Sequence, residues 1–184
     1  MASEKSLNKK KAEVAELAEK MKEAKLILLT GYRGINVVDD TELRKELRGT
    51  ESTCAVIKNN IVGRALKENG YDPLAFRFMC LNSHYRKQLV FSYDALTQAE
   101  ATLKKLRNKI KLLSDSGELD RNVYEIYNNK FILEISNDLN TANAITVIYE
   151  LLKDSSVSDK TKISLITSFD EVLSLNLISN EEEN

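Results

Sequence analysis

Tryptophan is absent from these 184 residues, and proline and histidine occur once each, as Pro73 and His84. A single imidazole leaves no catalytic triad beyond chance and no histidine-based metal set. There are two cysteines, Cys54 and Cys80. That is too few for a disulfide framework, so a cytoplasmic location is expected. No apolar run approaches the ~20 residues of a membrane span, so no membrane partner is expected. The lysines near the start are not followed by an apolar block, which argues against a signal peptide. Of the six glycines, Gly31 and Gly34 lie close together, but no lysine follows them as in a phosphate-cradling loop.

What is present is a balanced, charged chain. Charged residues make up 30% and hydrophobic ones 42%, the composition of a soluble globular protein of one ordinary domain or two small ones. The net charge of −1 conceals an asymmetry: residues 1–70 carry 14 Lys/Arg and 11 Asp/Glu, and residues 71–184 carry 13 and 17. A basic front half suits a polyanionic partner.

Residues 6–25 read as an amphipathic helix on Val14, Leu17 and Met21, with Lys9, Lys10 and Lys11 near its start. Cations are unfavourable there on dipole grounds, so these three are either a solvated end or an anchor for RNA phosphates. Lys25 to Thr30 is a short apolar run ending at Gly31, which predicts a buried strand. A turn at Tyr32-Arg33-Gly34 follows, then a helix capped by Asp39 or Asp40 and ended by Gly49. Ser52 to Lys58 predicts a second strand, with Cys54, Val56 and Ile57 as core candidates, and Asn59 opens a third helix. Strand, helix, strand, helix is the order of a partial βαβ-type unit.

The stretch Asp72–Ser92 organises the remainder. Asp72 can cap a helix while Pro73 takes its first position, where the missing N–H costs nothing. Leu74, Phe78 and Leu81 recur at helical spacing, after which the pattern breaks into the polar block Asn82 to Gln88. A long helix begins near Ser92 or Asp94, with Leu96, Ala99, Leu103, Leu106, Ile110 and Leu113 stepping by threes and fours. That seam suits a left-handed helix bundle. Further helices are expected over 120–136, from a Thr141 cap, and around Ile163, Ile166, Phe169 and Leu173, with Glu181-Glu182-Glu183 as a solvated tail. The fold class is therefore α+β, mainly helical: a partial βαβ-type unit, then an all-α antiparallel bundle.

Two resemblances attach to these segments. GYDPLAFRFMCLNSHYRKQLVFS, followed by Gln98-Ala99, Lys105-Leu106 and Asn137-Asp138-Leu139-Asn140-Thr141, resembles the region after the catalytic domain of bacterial cysteine–tRNA ligases. The resemblance runs to about Leu177 and implies a helical unit, residues 68–184, that lies against a tRNA stem. AEVAELAEKMKEAKLILLTGYRGINV, TELRKELR and VIKNNIVGRAL resemble the N-terminal part of the bacterial ribosomal protein at the base of the large-subunit stalk, the tenth of its series. That implies a partial ribosomal-RNA-docking domain over residues 1–67, with a seam within about 66–72. The sequence departs from this family at Gly31, Asp40, Gly49 and Gly63.

From the resemblances, Arg33, Lys58, Asn59 and Arg64 fall on positions facing ribosomal RNA, and Lys9, Lys10 and Lys11 extend that set. His84, Tyr85, Arg86 and Lys87 are the tRNA-facing candidates: the cations can meet phosphates and the tyrosine can stack on a base. No catalytic residue is assigned, because neither the HIGH-type nor the KMSKS-type motif is present. ATP and the zinc of the ligase family belong to its catalytic domain, so no cofactor is expected. Cys80 and His84 with Cys54 fall short of the four ligands a structural zinc normally takes. The expected function is translation-related RNA binding without catalysis, with rRNA, tRNA and the ribosome as candidate partners. The alternatives are a ligase fragment that acts with a separate catalytic chain, or a truncated or misjoined product. Because the resemblances concern unrelated families, few contacts are expected between the halves, with protease cleavage near Glu68–Asp72.

Overall fold

The structure, a computed structural model, describes residues 4–30, 34–50 and 52–178. Among these are eight helices and one two-stranded antiparallel sheet. The order is α1 (Glu4–Glu23), β1 (Ile27–Leu29), α2 (Val37–Arg48), α3 (Asn59–Glu68), α4 (Pro73–Leu81), β2 (Leu89–Phe91), α5 (Tyr93–Lys111), α6 (Arg121–Ser136), α7 (Thr141–Lys153) and α8 (Asp159–Leu173). The expected class, mainly helical α+β, is the one observed.

Local chemistry sets most helix ends. Asp72 Oδ1 accepts from the Leu74 N–H at 2.8 Å, with Pro73 in the first turn. Ser92 Oγ accepts from the Ala95 N–H at 3.1 Å and starts α5. Gly49 ends α2. Two caps differ from expectation. Asn36, not Asp39 or Asp40, caps α2, taking the Asp39 N–H at 2.8 Å. Asn140 caps α7, and the Thr141 hydroxyl instead donates to the Leu81 carbonyl at 2.6 Å. In both cases an asparagine on the N-terminal side of the expected cap, three residues before Asp39 for Asn36 and one before Thr141 for Asn140, accepts the free N–H instead.

The strand expected over 52–58 does not form. β1 pairs instead with β2 from the second half, in the register Ile27–Phe91, Leu28–Val90, Leu29–Leu89. Among its described residues the N-terminal part thus contains one strand rather than a βαβ crossover. With β1 engaged elsewhere, Cys54 and Val56 are exposed, and α2 has no buried residue. β1 itself is only half-buried: Ile27 and Leu29 face inward and Leu28 faces out.

The expectation of two loosely associated halves is also overturned. One continuous core holds Val14, Ala18 and Met21 of α1, Ile61, Ala65 and Leu66 of α3, Phe76 and Phe78 of α4, and the whole seam of α5. Asn69 Nδ2 donates to the Ala18 carbonyl at 3.1 Å, and the rings of Tyr71 and Tyr93 stack 5.3 Å apart. The physical reason lies in α3 and α4. α3 packs against α1 and α4, and α4 packs against α3 and α5, so burying their apolar faces joins α1 to α5 in one core. The core continues through α6–α8, where Phe131 and Phe169 stack at 4.1 Å.

The segment after α8 closes the fold. Asp170 accepts the N–H groups of Leu175 and Leu177 at 2.7 and 2.8 Å, and both leucines are fully buried. Arg77 Nε donates to the Leu173 carbonyl at 2.8 Å and Arg107 Nη2 to the Leu175 carbonyl at 2.7 Å. Charged donors from α4 and α5 therefore hold the chain's last described turn.

Candidate nucleic-acid interface

The polar block after α4 is brought against the turn between α6 and α7. Asp138 lies at its centre. Arg86 donates to its carboxylate through Nε at 2.8 Å and Nη2 at 3.0 Å, a two-point grip. Tyr85 Oη donates to the same group at 2.6 Å, and His84 Nε2 lies 3.5 Å away. The His84 and Tyr85 rings stack 5.0 Å apart, and the Arg86 guanidinium carbon lies 5.3 Å from the Tyr85 ring centre. These hydrogen bonds, with Arg86 contributing most, hold the Asp138 carboxyl down at about 2. The same carboxylate pushes Arg86 up.

The backbone under Asp138 is unusual. Asp138 and Leu139 both have φ near +53°, in the left-handed region that costs most residues free energy. The Thr141–Leu81 hydrogen bond ties this turn to the end of α4, next to the polar block. Local sequence alone gives Asp138 no functional role. The signal was there, in the Asn137-Asp138-Leu139-Asn140-Thr141 string, but only packing shows that it meets the His84–Lys87 block.

The other candidates are spread out. Lys9, Lys10 and Lys11 are exposed on α1. Lys58 is the residue before α3, Asn59 its first residue, and Arg64 lies on its outer face. None of these cations makes an ion pair among the described residues, and neither does Lys87. Arg33, with Gly31 and Tyr32, lies outside the described residues, as does the Glu181–Glu183 tail. Cys80 packs against the core, and burial pushes its thiol up to about 11. No helix among the described residues is long and apolar enough to cross a membrane.

A mainly helical α+β scaffold with cations on its rim is the class that fold and site define. The sequence pattern of the family Ribosomal protein L10 matches residues 5–108, and the chain belongs to that family. A second pattern, the DALR domain, matches residues 130–175, from the latter half of α6 through α8. One chain thus carries the patterns of two families, which supports a chimera of two parts. It is 35% identical over 132 residues to the cysteine–tRNA ligase of Borreliella burgdorferi (strain ZS7), covering 65% of this chain and 28% of that protein. It is similarly 35% identical over 132 residues to the cysteine–tRNA ligase of Borrelia turicatae (strain 91E135), covering 65% and 27%. With cysteine–tRNA ligase 1 of Burkholderia lata it shares 34% over 114 residues, covering 62% and 23%. The chain spans about a quarter of the length of these relatives.

The ribosomal pattern runs past the expected seam, through α4 and most of α5. A similarity covering 65% of the chain does not fit within the residues that 5–108 leaves over. The two similarities therefore share a stretch of the chain.

Proposed function

We propose that this chain is a non-catalytic RNA-binding protein of the translation apparatus, working in the cytoplasm. In this reading residues 1–67 address ribosomal RNA and residues 68–184 a tRNA stem. The observation that carries it is the presence in one chain of a ribosomal-protein pattern and a DALR domain, with similarity to proteins named as cysteine–tRNA ligases. Lys9, Lys10, Lys11, Arg33, Lys58, Asn59 and Arg64 serve the first surface. His84, Tyr85, Arg86 and Lys87 serve the second, with Lys87 carrying the uncommitted charge. A tRNA phosphate that reaches Arg86 competes with Asp138 for it. Neither ATP nor zinc is required.

The test is binding of tRNA and of a large-subunit rRNA fragment by the intact chain across a salt series. Both affinities fall steeply with salt. Arg33→Ala with Lys58→Ala weakens rRNA binding and spares tRNA, and Lys87→Ala does the reverse. Equal loss for both RNAs from either variant refutes two separate surfaces. Pyrophosphate exchange with cysteine and ATP stays at background. Exchange that survives purification and is lost in His84→Ala or Cys80→Ala overturns the non-catalytic reading.

A second reading, a ligase piece that acts with a separate catalytic chain, draws on the quarter-length span of the relatives. Its test is whether the chain stimulates aminoacylation by a ligase lacking this region.

A further inference from the structure

The latter half of α5 forms a surface that the sites above do not use. From Ala101 to Leu113 the sequence holds five cations and no acid. One of them, Arg107, is committed to the Leu175 carbonyl and to Asp72. The other four, Lys104, Lys105, Lys109 and Lys111, are exposed and make no ion pair among the described residues. The buried seam of Leu103, Leu106 and Ile110 occupies the opposite face, so the lysines share the outward one. Lys104 and Lys111 are about 10 Å apart along the axis.

Beside this ridge lies a depression of about 230 Å³ lined by Lys109, Leu112, Leu113, Tyr149, Leu152 and Lys153. Its floor is apolar and its two flanks are cationic. Leu112 is 85% exposed, an unusual position for a leucine amid lysines. The neighbouring acids of α7 and its following loop are engaged elsewhere: Glu150 with Lys130, and Asp154 with Tyr127 and Ser156. Among the described residues, no carboxylate pairs with the lysines of this face.

Cations that track along a helix next to an apolar and aromatic hollow match a strand of phosphates carrying bases with exposed faces. We propose that α5 from Lys104 onward, with Lys153 and Tyr149 of α7, docks single-stranded RNA. Phosphates lie along the lysines and one base rests on Leu112 and Tyr149. A duplex keeps its bases stacked inside and cannot fill the hollow. The proposal rests on the RNA-binding reading and assigns to it a third, separate surface.

The experiment uses the intact chain and a short labelled uridine oligonucleotide, read by anisotropy over a salt series. Lys105→Glu with Lys109→Glu lowers affinity about tenfold or more and flattens the log–log salt slope by about 1.4, the loss of two phosphate contacts. Leu112→Ala lowers affinity a few-fold at unchanged slope. Lys20→Glu, on α1, leaves binding unchanged, and circular dichroism checks that each variant is folded. Photocrosslinking with 4-thiouridine labels peptides containing residues 104–113 or Tyr149. Wild-type binding by the double variant, while Lys87→Ala loses tRNA, overturns this surface and leaves the broader reading standing. Failure of the intact chain to bind any RNA overturns that reading as well. An acidic peptide or anionic vesicle that displaces the oligonucleotide and binds more tightly overturns RNA as the occupant.

Discussion

Ile27 of β1 lies directly opposite Phe91 of β2, so a residue of the N-terminal segment is in strand register with one from the middle of the chain. Phe91 is buried and packs edge-on to Phe76 and Tyr93. The ribbon therefore anchors the N-terminal segment to the bundle rather than completing a sheet within it.

Because the core is continuous, its disruption is expected to be felt throughout. Leu66 is fully buried on α3, which packs against both α1 and α4. Leu66→Ala is expected to cost about 2–5 kcal/mol. Unfolding followed by far-ultraviolet circular dichroism and by tyrosine fluorescence is expected to give one coincident transition in wild type and variant. Two separated transitions would show independent halves.

Proteolysis provides a spatial check. Among the described residues of 49–58 none is buried, whereas Asn69 to Asp72 are held by the Asn69–Ala18 bond, the Tyr71–Tyr93 stack and the Asp72 cap. Limited digestion is expected to cut first within 49–58 and to spare 68–72, as read by mass spectrometry of the early fragments.

Gly63 lies inside α3, and an added Cβ would meet only the Pro73 Cβ, at 3.7 Å, an ordinary contact. Gly63→Ala is expected to stabilise the protein by about 0.5–1 kcal/mol through lower unfolded-state entropy and better helix propensity. Chemical denaturation measures it, and a destabilised variant would mean that the α3–α4 approach is closer than described.

The Asp138 cluster gives a pH dependence of definite sign. Its folded-state carboxyl titrates near 2, below the ordinary value of 3.8, so its contribution to stability is present above about pH 4 and lost as pH falls towards 2. Asp138→Asn keeps a residue that tolerates positive φ but removes the charge. The stability difference between wild type and this variant is expected to shrink between pH 4 and pH 2 in urea titrations. A constant difference would place the effect elsewhere.

The two thiols are expected to separate kinetically. Cys54 is exposed, while burial holds the Cys80 thiol up at about 11. Ellman's reagent at pH 8 is expected to label one thiol quickly and the other only as fast as local opening allows, since the thiolate is the nucleophile. Cys54→Ser removes the fast phase. Two fast thiols would contradict the packing of Cys80.

The sequence by itself determined what depends on near neighbours. Helical spacing placed the α5 seam on Leu96, Ala99, Leu103, Leu106, Ile110 and Leu113; the first five are buried, and Leu113, just past the helix end, is half-buried. Side-chain capping started α4 at Asp72-Pro73 and α5 at Ser92. A run of lysines on α5 was also written there, though its freedom from acidic partners depends on what α7 places beside it. Only the tertiary structure decided the pairings of distant residues. A three-residue strand carries no address for its partner, so β1 was free to take β2, and residues 52–58 stayed without a ladder. In the same way, Arg86 reads locally as a free cation. The fold commits it to Asp138, because the Thr141–Leu81 bond brings a left-handed turn from beyond α6 to the end of α4.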